Sequence, residues 1–338
     1  MELEYVDCDY CKDSKSKPIY SEGVLGLSQC IRCGFVFTNP RFPQTELSRL
    51  YDEKFKIGVV EARDRLKKIT GKEKEYSKCM KQEEDIVNRM IEKDFKLVLK
   101  YKRKGKLLDV GCDNGARLQV AYDHGWRDLH GLELSDAVVN TLHNRFNLPD
   151  SKKRFQNSHL MEASFESESF DVITLWSVLE HMTFPFENLH EVARLLKKRG
   201  VVILRVPNVR HELGRKYVRN LSLFVLPKWL RRILGISDNY RPRLNELFDL
   251  TKIPISEKGS LDLEYHINHF SDKTLCKFLE KAGLSVVESR YGDMFVFQEA
   301  IKDKLEQWFV GFLRFFYLIS GNKLPNLSSQ LLIVARKM

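Results

Sequence analysis

No stretch of the 338 residues reads as a membrane span. The greasiest run, Trp308 to Ile319, contains Arg314 and falls short of the roughly 20 apolar residues that cross a bilayer. The amino terminus, Met-Glu-Leu-Glu-Tyr-Val-Asp-Cys, lacks the basic region and apolar stretch of a secretory signal. Internal repeats and low-complexity tracts are missing too. The seven cysteines are an odd number, which suits a reducing compartment better than a disulfide framework. These absences lead us to expect a cytoplasmic protein. What is present, 43% hydrophobic residues, is ample for a buried core of one large domain with appendages, or of two domains.

Charge is uneven. The chain carries a formal +10, and seven of those charges fall between Pro207 and Arg243, where nine basic side chains face only Glu212 and Asp238. That segment is where an anionic partner would dock: a phosphorylated or lipid-linked acceptor, or nucleic acid. Leu221, Leu223, Phe224, Leu226, Trp229 and Leu230 lie among its cations. They read as a helix packed on the domain, with a membrane-surface patch as the alternative.

The first forty residues hold two Cys-x-x-Cys pairs, Cys8/Cys11 and Cys30/Cys33, with Gly34 directly after the second. Two close thiolate pairs match tetrahedral Zn²⁺, and four sulfur ligands leave no open position for water. The predicted metal is therefore structural, and its removal should unfold the first forty residues selectively. Residues 43–104 follow, rich in Lys, Glu and Arg, with Ile91, Phe95, Leu97 and Val98 spaced as in amphipathic helices.

Residues 106–115 read Lys-Leu-Leu-Asp-Val-Gly-Cys-Asp-Asn-Gly, an apolar strand that turns sharply through glycines. A second short strand, Leu129 to Leu132, ends on Glu133, 24 positions after Asp109. A carboxylate about 20 residues past such a loop is where a doubly wound sheet meets ribose hydroxyls. Strands at Phe170–Trp176 and Gly200–Val206 follow, with the amphipathic run Leu189, Val192, Ala193, Leu195 and Leu196 between them. The pattern is βαβ alternation, hence an α/β fold. The spacing does not fit the Gly-x-Gly-x-x-Gly fingerprint of NAD sites.

Leu108-Asp109-Val110-Gly111-Cys112-Asp113-Asn114-Gly115, Phe170-Asp171-Val172-Ile173 and Leu179-Glu180-His181 together resemble the class I S-adenosylmethionine-dependent methyltransferases over about residues 95–338. The resemblance implies a Rossmann-like seven-stranded sheet, with sixth and seventh strands at Val286-Val287 and Leu331–Ala335. It also implies that Gly111, Cys112 and Gly115 lie along the amino-acid part of S-adenosylmethionine. Glu133 would bind ribose, Leu134 would flank adenine, Leu175 and Trp176 would border the methionine side, and Asp109 would order the loop or meet the cofactor's ammonium. The family's middle loop glycine is Asp113 here, a residue that tolerates left-handed backbone. The amino-terminal knuckles with Cys33-Gly-Phe-Val-Phe-Thr-Asn-Pro-Arg41 resemble a zinc ribbon ahead of methyltransferase domains tied to surface-glycan or secondary-metabolite pathways.

The expected organisation is a zinc ribbon at 1–42, a helical linker or cofactor cover at 43–104, and the methyltransferase domain at 105–338 with an insertion at about 208–263. His181 is the candidate general base, since an imidazole titrates near neutrality; packing of Glu180 and His181 is the alternative. Tyr265, His266, Asn268, His269 and Phe270 are expected to border the acceptor pocket. Quinone O-methyltransferases resemble this region but carry a glutamate where Ser177 stands. With no carboxylate matched to His266 and His269, no divalent-metal site is expected beyond the cysteines. The leading function is methyl transfer to a sugar or other small metabolite, nucleotide- or lipid-linked forms included, which points to polysaccharide biosynthesis. An rRNA or tRNA methyltransferase and an inactive zinc-ribbon scaffold are the alternatives.

Overall fold

The computed structural model describes residues 2–47, 49, 50, 73–146, 148–210, 263–292 and 329–338. The segment from 211 to 262, with nearly all of the basic insertion and its apolar patch, and the aromatic run from Trp308 to Tyr317 lie outside the described residues.

Two sheets organise the rest. The amino-terminal strands β1 (Ser16–Glu22), β2 (Leu25–Cys30) and β3 (Val36–Thr38) pair antiparallel in sequence order. Next come α1 (Glu73–Tyr101), β4 (Lys106–Val110), α2 (Ala116–Asp123), β5 (Asp128–Glu133), α3 (Asp136–Phe146), the short α4 (Ser151–Arg154) and β6 (Phe155–Asn157). They are followed by β7 (Phe170–Trp176), a 3-10 turn at Leu179–His181, α5 (Pro185–Leu195), β8 (Leu196–Pro207), β9 (Asn268–His269), α6 (Asp272–Lys281), β10 (Leu284–Gly292) and β11 (Gln330–Lys337).

The large sheet has seven strands in the order β10-β11-β8-β7-β4-β5-β6. β11 runs antiparallel to both neighbours, and the pairs from β8 through β6 are parallel. The alternation predicted an α/β fold, and the seven strands are those the resemblance implies. β8 starts earlier than Gly200, because Leu196 already pairs with Phe170 directly after α5 ends.

Burial on both faces explains why these strands are nearly continuous apolar runs. Leu107, Val172, Val201 and Ile203 point to one face, packed by Phe95 and Val98 of α1, Leu118 of α2 and Leu142 of α3. Leu108, Ile173, Leu175, Val202 and Leu204 point to the other, packed by Leu189 and Val192 of α5 and by Leu275 and Phe278 of α6. α6 opens on Ser271, whose hydroxyl accepts from Thr274 N in a capping box, and is followed by Gly283 at φ +84°.

The amino-terminal sheet is joined to this body by its own ladder. β9 pairs with β3, Val36 opposite His269 and Phe37 opposite Asn268. Cys8, Cys30, Phe35 and Phe37 belong to the same buried cluster as Phe186, Phe270 and Phe278.

Candidate functional site

The crevice forms where β4, β5 and β7 end side by side, with Asp109 in register with both Gly131 and Thr174. Gly111 and Cys112 donate their N–H groups to Leu132 O at 2.8 and 3.0 Å, which hooks the loop over β5. The loop needs left-handed backbone three times: Gly111 at φ +67°, Asp113 at +45° and Gly115 at +74°. At Gly111 a Cβ would also stand 2.5 Å from Val178 Cγ2. Asp113 therefore keeps the turn that the family builds with glycine, and its side chain is exposed to solvent.

Glu133 closes the crevice. One carboxylate oxygen accepts from Asp113 N at 3.1 Å, and the other from Leu134 N at 2.8 Å and Ser135 N at 3.2 Å. Leu134 is half exposed beside it. Cys112 faces away: its Sγ lies 2.6 Å from where a Cβ on Gly131 would be, so only its backbone borders the crevice.

Asp109, Thr174, Trp176 and Arg205 share the sheet face beneath α1 and α2. Asp109 is buried and accepts a 2.6 Å hydrogen bond from Thr174 Oγ1, so its hydrogen bond goes to a strand neighbour and not to the loop amides. Burial raises its pKa to about 7, opposed by the Arg117 guanidinium and by the Thr174 hydroxyl. Trp176 is flanked by the guanidinium groups of Arg117 at 5.3 Å and Arg205 at 5.1 Å. Arg205 is hydrogen-bonded to Asp94 of α1, and Arg117 lies 3.6 Å from the other Asp94 oxygen. Leu175 alternates to the opposite face and is fully buried in the core there, so the structure does not bring its side chain to Trp176. Arg117, Thr174, Arg205 and Asp94 were not singled out from sequence, although an arginine inside the apolar run Gly200–Val206 was a readable signal.

After β7, the turn Leu179–His181 meets the segment around residue 266. His181 Nδ1 is 2.9 Å from Tyr265 O, and Ile267 N donates to Glu180 O at 3.0 Å. Glu180 is buried, and its Oε1 lies 3.9 Å from His181 Nε2. The His181 and His266 rings stand 4.9 Å apart. Sequence reasoning found no carboxylate matched to His266; the fold supplies Glu180.

Residues 82–289 match the family model described as "Methyltransferase domain". The chain belongs to this family. Its fold and family make it an S-adenosylmethionine-dependent methyltransferase of class I. Similar curated proteins include the ubiquinone biosynthesis O-methyltransferase of Coxiella burnetii (strain RSA 493 / Nine Mile phase I), 27% identical over 173 residues, or 44% of this chain and 73% of the relative. The protein of the same name from Azoarcus sp. (strain BH72) is 25% identical over 181 residues, 48% of this chain and 75% of the relative. Among solved structures, a putative S-adenosylmethionine-dependent methyltransferase from Listeria monocytogenes aligns at a TM-score of 0.44 and 14% identity, covering 69% of this chain and 91% of that one.

In this methyltransferase the four predicted cysteines converge. Cys8 Sγ is 3.5 Å from Cys33 Sγ, Cys11 Sγ is 3.5 Å from Cys30 Sγ, and all four sulfurs lie within 4.8 Å of one another. Sulfurs bound to zinc at about 2.3 Å stand about 3.8 Å apart in a tetrahedron, so the donor set fits that ion. No disulfide forms among the described cysteines. No helix among the described residues is long and apolar enough to cross a membrane.

Proposed function

We propose that this methyltransferase transfers a methyl group from S-adenosylmethionine to a hydroxyl oxygen of a small-molecule acceptor. The observation that carries the reading is Glu133 at the mouth of the left-handed loop. A carboxylate offers about four lone-pair positions, and backbone donors take three of Glu133's. One remains for a ribose hydroxyl.

When bound, S-adenosylmethionine supplies an already activated methyl group, so the protein's work is chiefly to position, to exclude water and to handle a proton. Gly111, Cys112 and Gly115 offer loop backbone to the cofactor's amino-acid part, and Leu134 offers an apolar face to adenine. Trp176, held between Arg117 and Arg205, borders the methionine end, with Asp109 beneath. The acceptor's proton leaves through the corner of Glu180, His181 and His266, in which His181 is partly exposed. The relatives' O-methyltransferase names support oxygen as the accepting atom, and the amino-terminal resemblance supports a sugar or secondary metabolite. The four cysteines hold Zn²⁺ as a structural ion, since they fill all four of its positions.

Calorimetry with S-adenosylmethionine tests the reading. We expect saturable binding by the wild type, weakened about ten- to a hundredfold by Glu133→Gln, the worth of a hydrogen bond to a charged group. No heat and no thermal stabilisation by the cofactor would overturn it. Label from methyl-labelled cofactor, followed into soluble metabolites, glycans, lipids or RNA of a host extract, then identifies the acceptor class.

A further inference from the structure

We infer that the joint between the amino-terminal module and the methyltransferase body is a second binding site, one that takes a neutral, hydroxyl-rich ring of the size of a single hexopyranose. A cavity of about 240 Å³ lies there, and none of the residues assigned to the cofactor lines it. At about 30 Å³ per molecule in the liquid this is space for about eight waters, and it falls just below the size of drug-sized sites. The cavity is too large for a single ion or a single bridging water and suits a small organic molecule.

Both units supply its apolar walls. Phe35 and Phe37, in and beside β3, are buried and stacked with 5.9 Å between ring centroids. Phe184, which leads into α5, is 55% exposed and borders the same cavity. An aromatic side chain that meets both solvent and cavity gives the C–H face of a ring something to pack on.

Polar groups converge from the other sides. Thr183 Oγ1 is buried and has no hydrogen-bond partner among the described residues. Leaving such a group unmade costs about 1–3 kcal/mol, which a ligand hydroxyl would relieve. Arg41 is 6% exposed; its Nε donates to Glu4 at 2.8 Å and its Nη1 to Thr183 O at 3.4 Å. A guanidinium carries five N–H donors, so Arg41 can hold this wall and still donate to a ligand. Asn268 donates through Nδ2 to Met182 O at 2.6 Å, which leaves its amide oxygen to accept.

Charge selects the ligand class. Each cation at the cavity is matched: Arg41 by Glu4 at 2.8 Å, and Lys12 by Asp9 at 2.8 Å and Glu187 at 2.7 Å. Asp7, exposed at the cavity, adds a further carboxylate. An anionic ligand would face Asp7 and Asp9, and a cationic one would face Arg41 and Lys12; like charges brought together in this way are a cost. A neutral molecule with several hydroxyls avoids both, because each hydroxyl can donate to a carboxylate and accept from a guanidinium. One apolar face and a polar edge of donors and acceptors together describe a sugar ring. This site goes beyond the cofactor crevice, and its binding does not depend on the methyl-transfer reading.

Saturation-transfer NMR on the full chain, purified without chelator, tests the site. The probes are the methyl pyranosides of glucose, galactose and mannose, with the 6-carboxylate and 6-amino derivatives of the glucoside as charged controls. We expect at least one neutral glycoside to bind with a dissociation constant of about 1 mM, which corresponds to about 4 kcal/mol. It should bind more tightly than either charged derivative. Phe184→Ala and Asp7→Asn, both at exposed positions, should each weaken it about tenfold while leaving calorimetric binding of S-adenosylmethionine unchanged. No signal from any neutral glycoside at about 10 mM, tenfold above that constant, would overturn the site. So would binding undiminished by either substitution, or tighter binding of a charged derivative. Failure of S-adenosylmethionine to bind the same samples sinks the proposed function alone and leaves the sugar site standing.

Discussion

Asp109 shows how one residue couples the loop to the stability of the fold. Burial raises its pKa to about 7, against about 3.9 in an unfolded chain. The native state therefore keeps a proton that the unfolded state releases between about pH 4 and 7, and the cost to stability grows across that window and is complete above it. Asp109→Asn removes the cost. In the absence of cofactor, the unfolding free-energy difference between variant and wild type, measured by urea unfolding, should move in the variant's favour as pH rises through the window, by up to a few kcal/mol, one pKa unit being about 1.4 kcal/mol. A difference that does not change with pH would show that Asp109 is not protonated in the native state. Sequence placed Asp109, Gly111, Gly115 and Glu133 because strand, turn and carboxylate lie close along the chain. It missed Arg117 and Thr174, which matter only through neighbours on other elements.

Element by element, the alternation of strands and helices from residue 106 to residue 206 was legible because short apolar runs and helical spacing are local signals. β9 was not. Two residues, Asn268 and His269, become a strand only because β3 is there to pair with them, and no local pattern announces such a partner. The same ladder explains why Glu180 finds His266: His181 and Tyr265 are 84 positions apart in sequence and 2.9 Å apart in space. Thr38 is the residue to test. It is fully buried, its hydroxyl donates to His266 O, and it lies 3.3 Å from His269 Nε2. Thr38→Val keeps the shape and removes the donor, which should cost about 0.5–1.5 kcal/mol for the lost hydrogen bond. Urea unfolding measures this; an unchanged midpoint would mean that the joint does not depend on this hydroxyl.

For the molecule as a whole, the open question is whether the cysteine module is a separate unit. Its sequence boundary near residue 42 suggests one, and on that view metal removal unfolds the first forty residues alone. The packing argues otherwise. Phe35 lies 4.7 Å from Phe278 and 5.3 Å from Phe270 between ring centroids, and Tyr10 stacks on Phe278 at 4.9 Å. Asp9 accepts a 2.7 Å hydrogen bond from Phe186 N in the first turn of α5, while Lys281 donates to Tyr10 O at 2.6 Å. Cysteines and aromatic rings thus share one core with α5 and α6, the helices that cover one face of the sheet. Binding energy at a structural metal is folding energy, and that of the proposed zinc ion would be transmitted into the common core. Stripping the metal with a chelator under reducing conditions should lower the main melting transition by roughly 10 °C, the equivalent of a few kcal/mol in a domain of this size. Scanning calorimetry distinguishes the two views. A new low-temperature transition with the main one unmoved would make the module independent, whereas a single shifted transition makes the four cysteines part of the methyltransferase core.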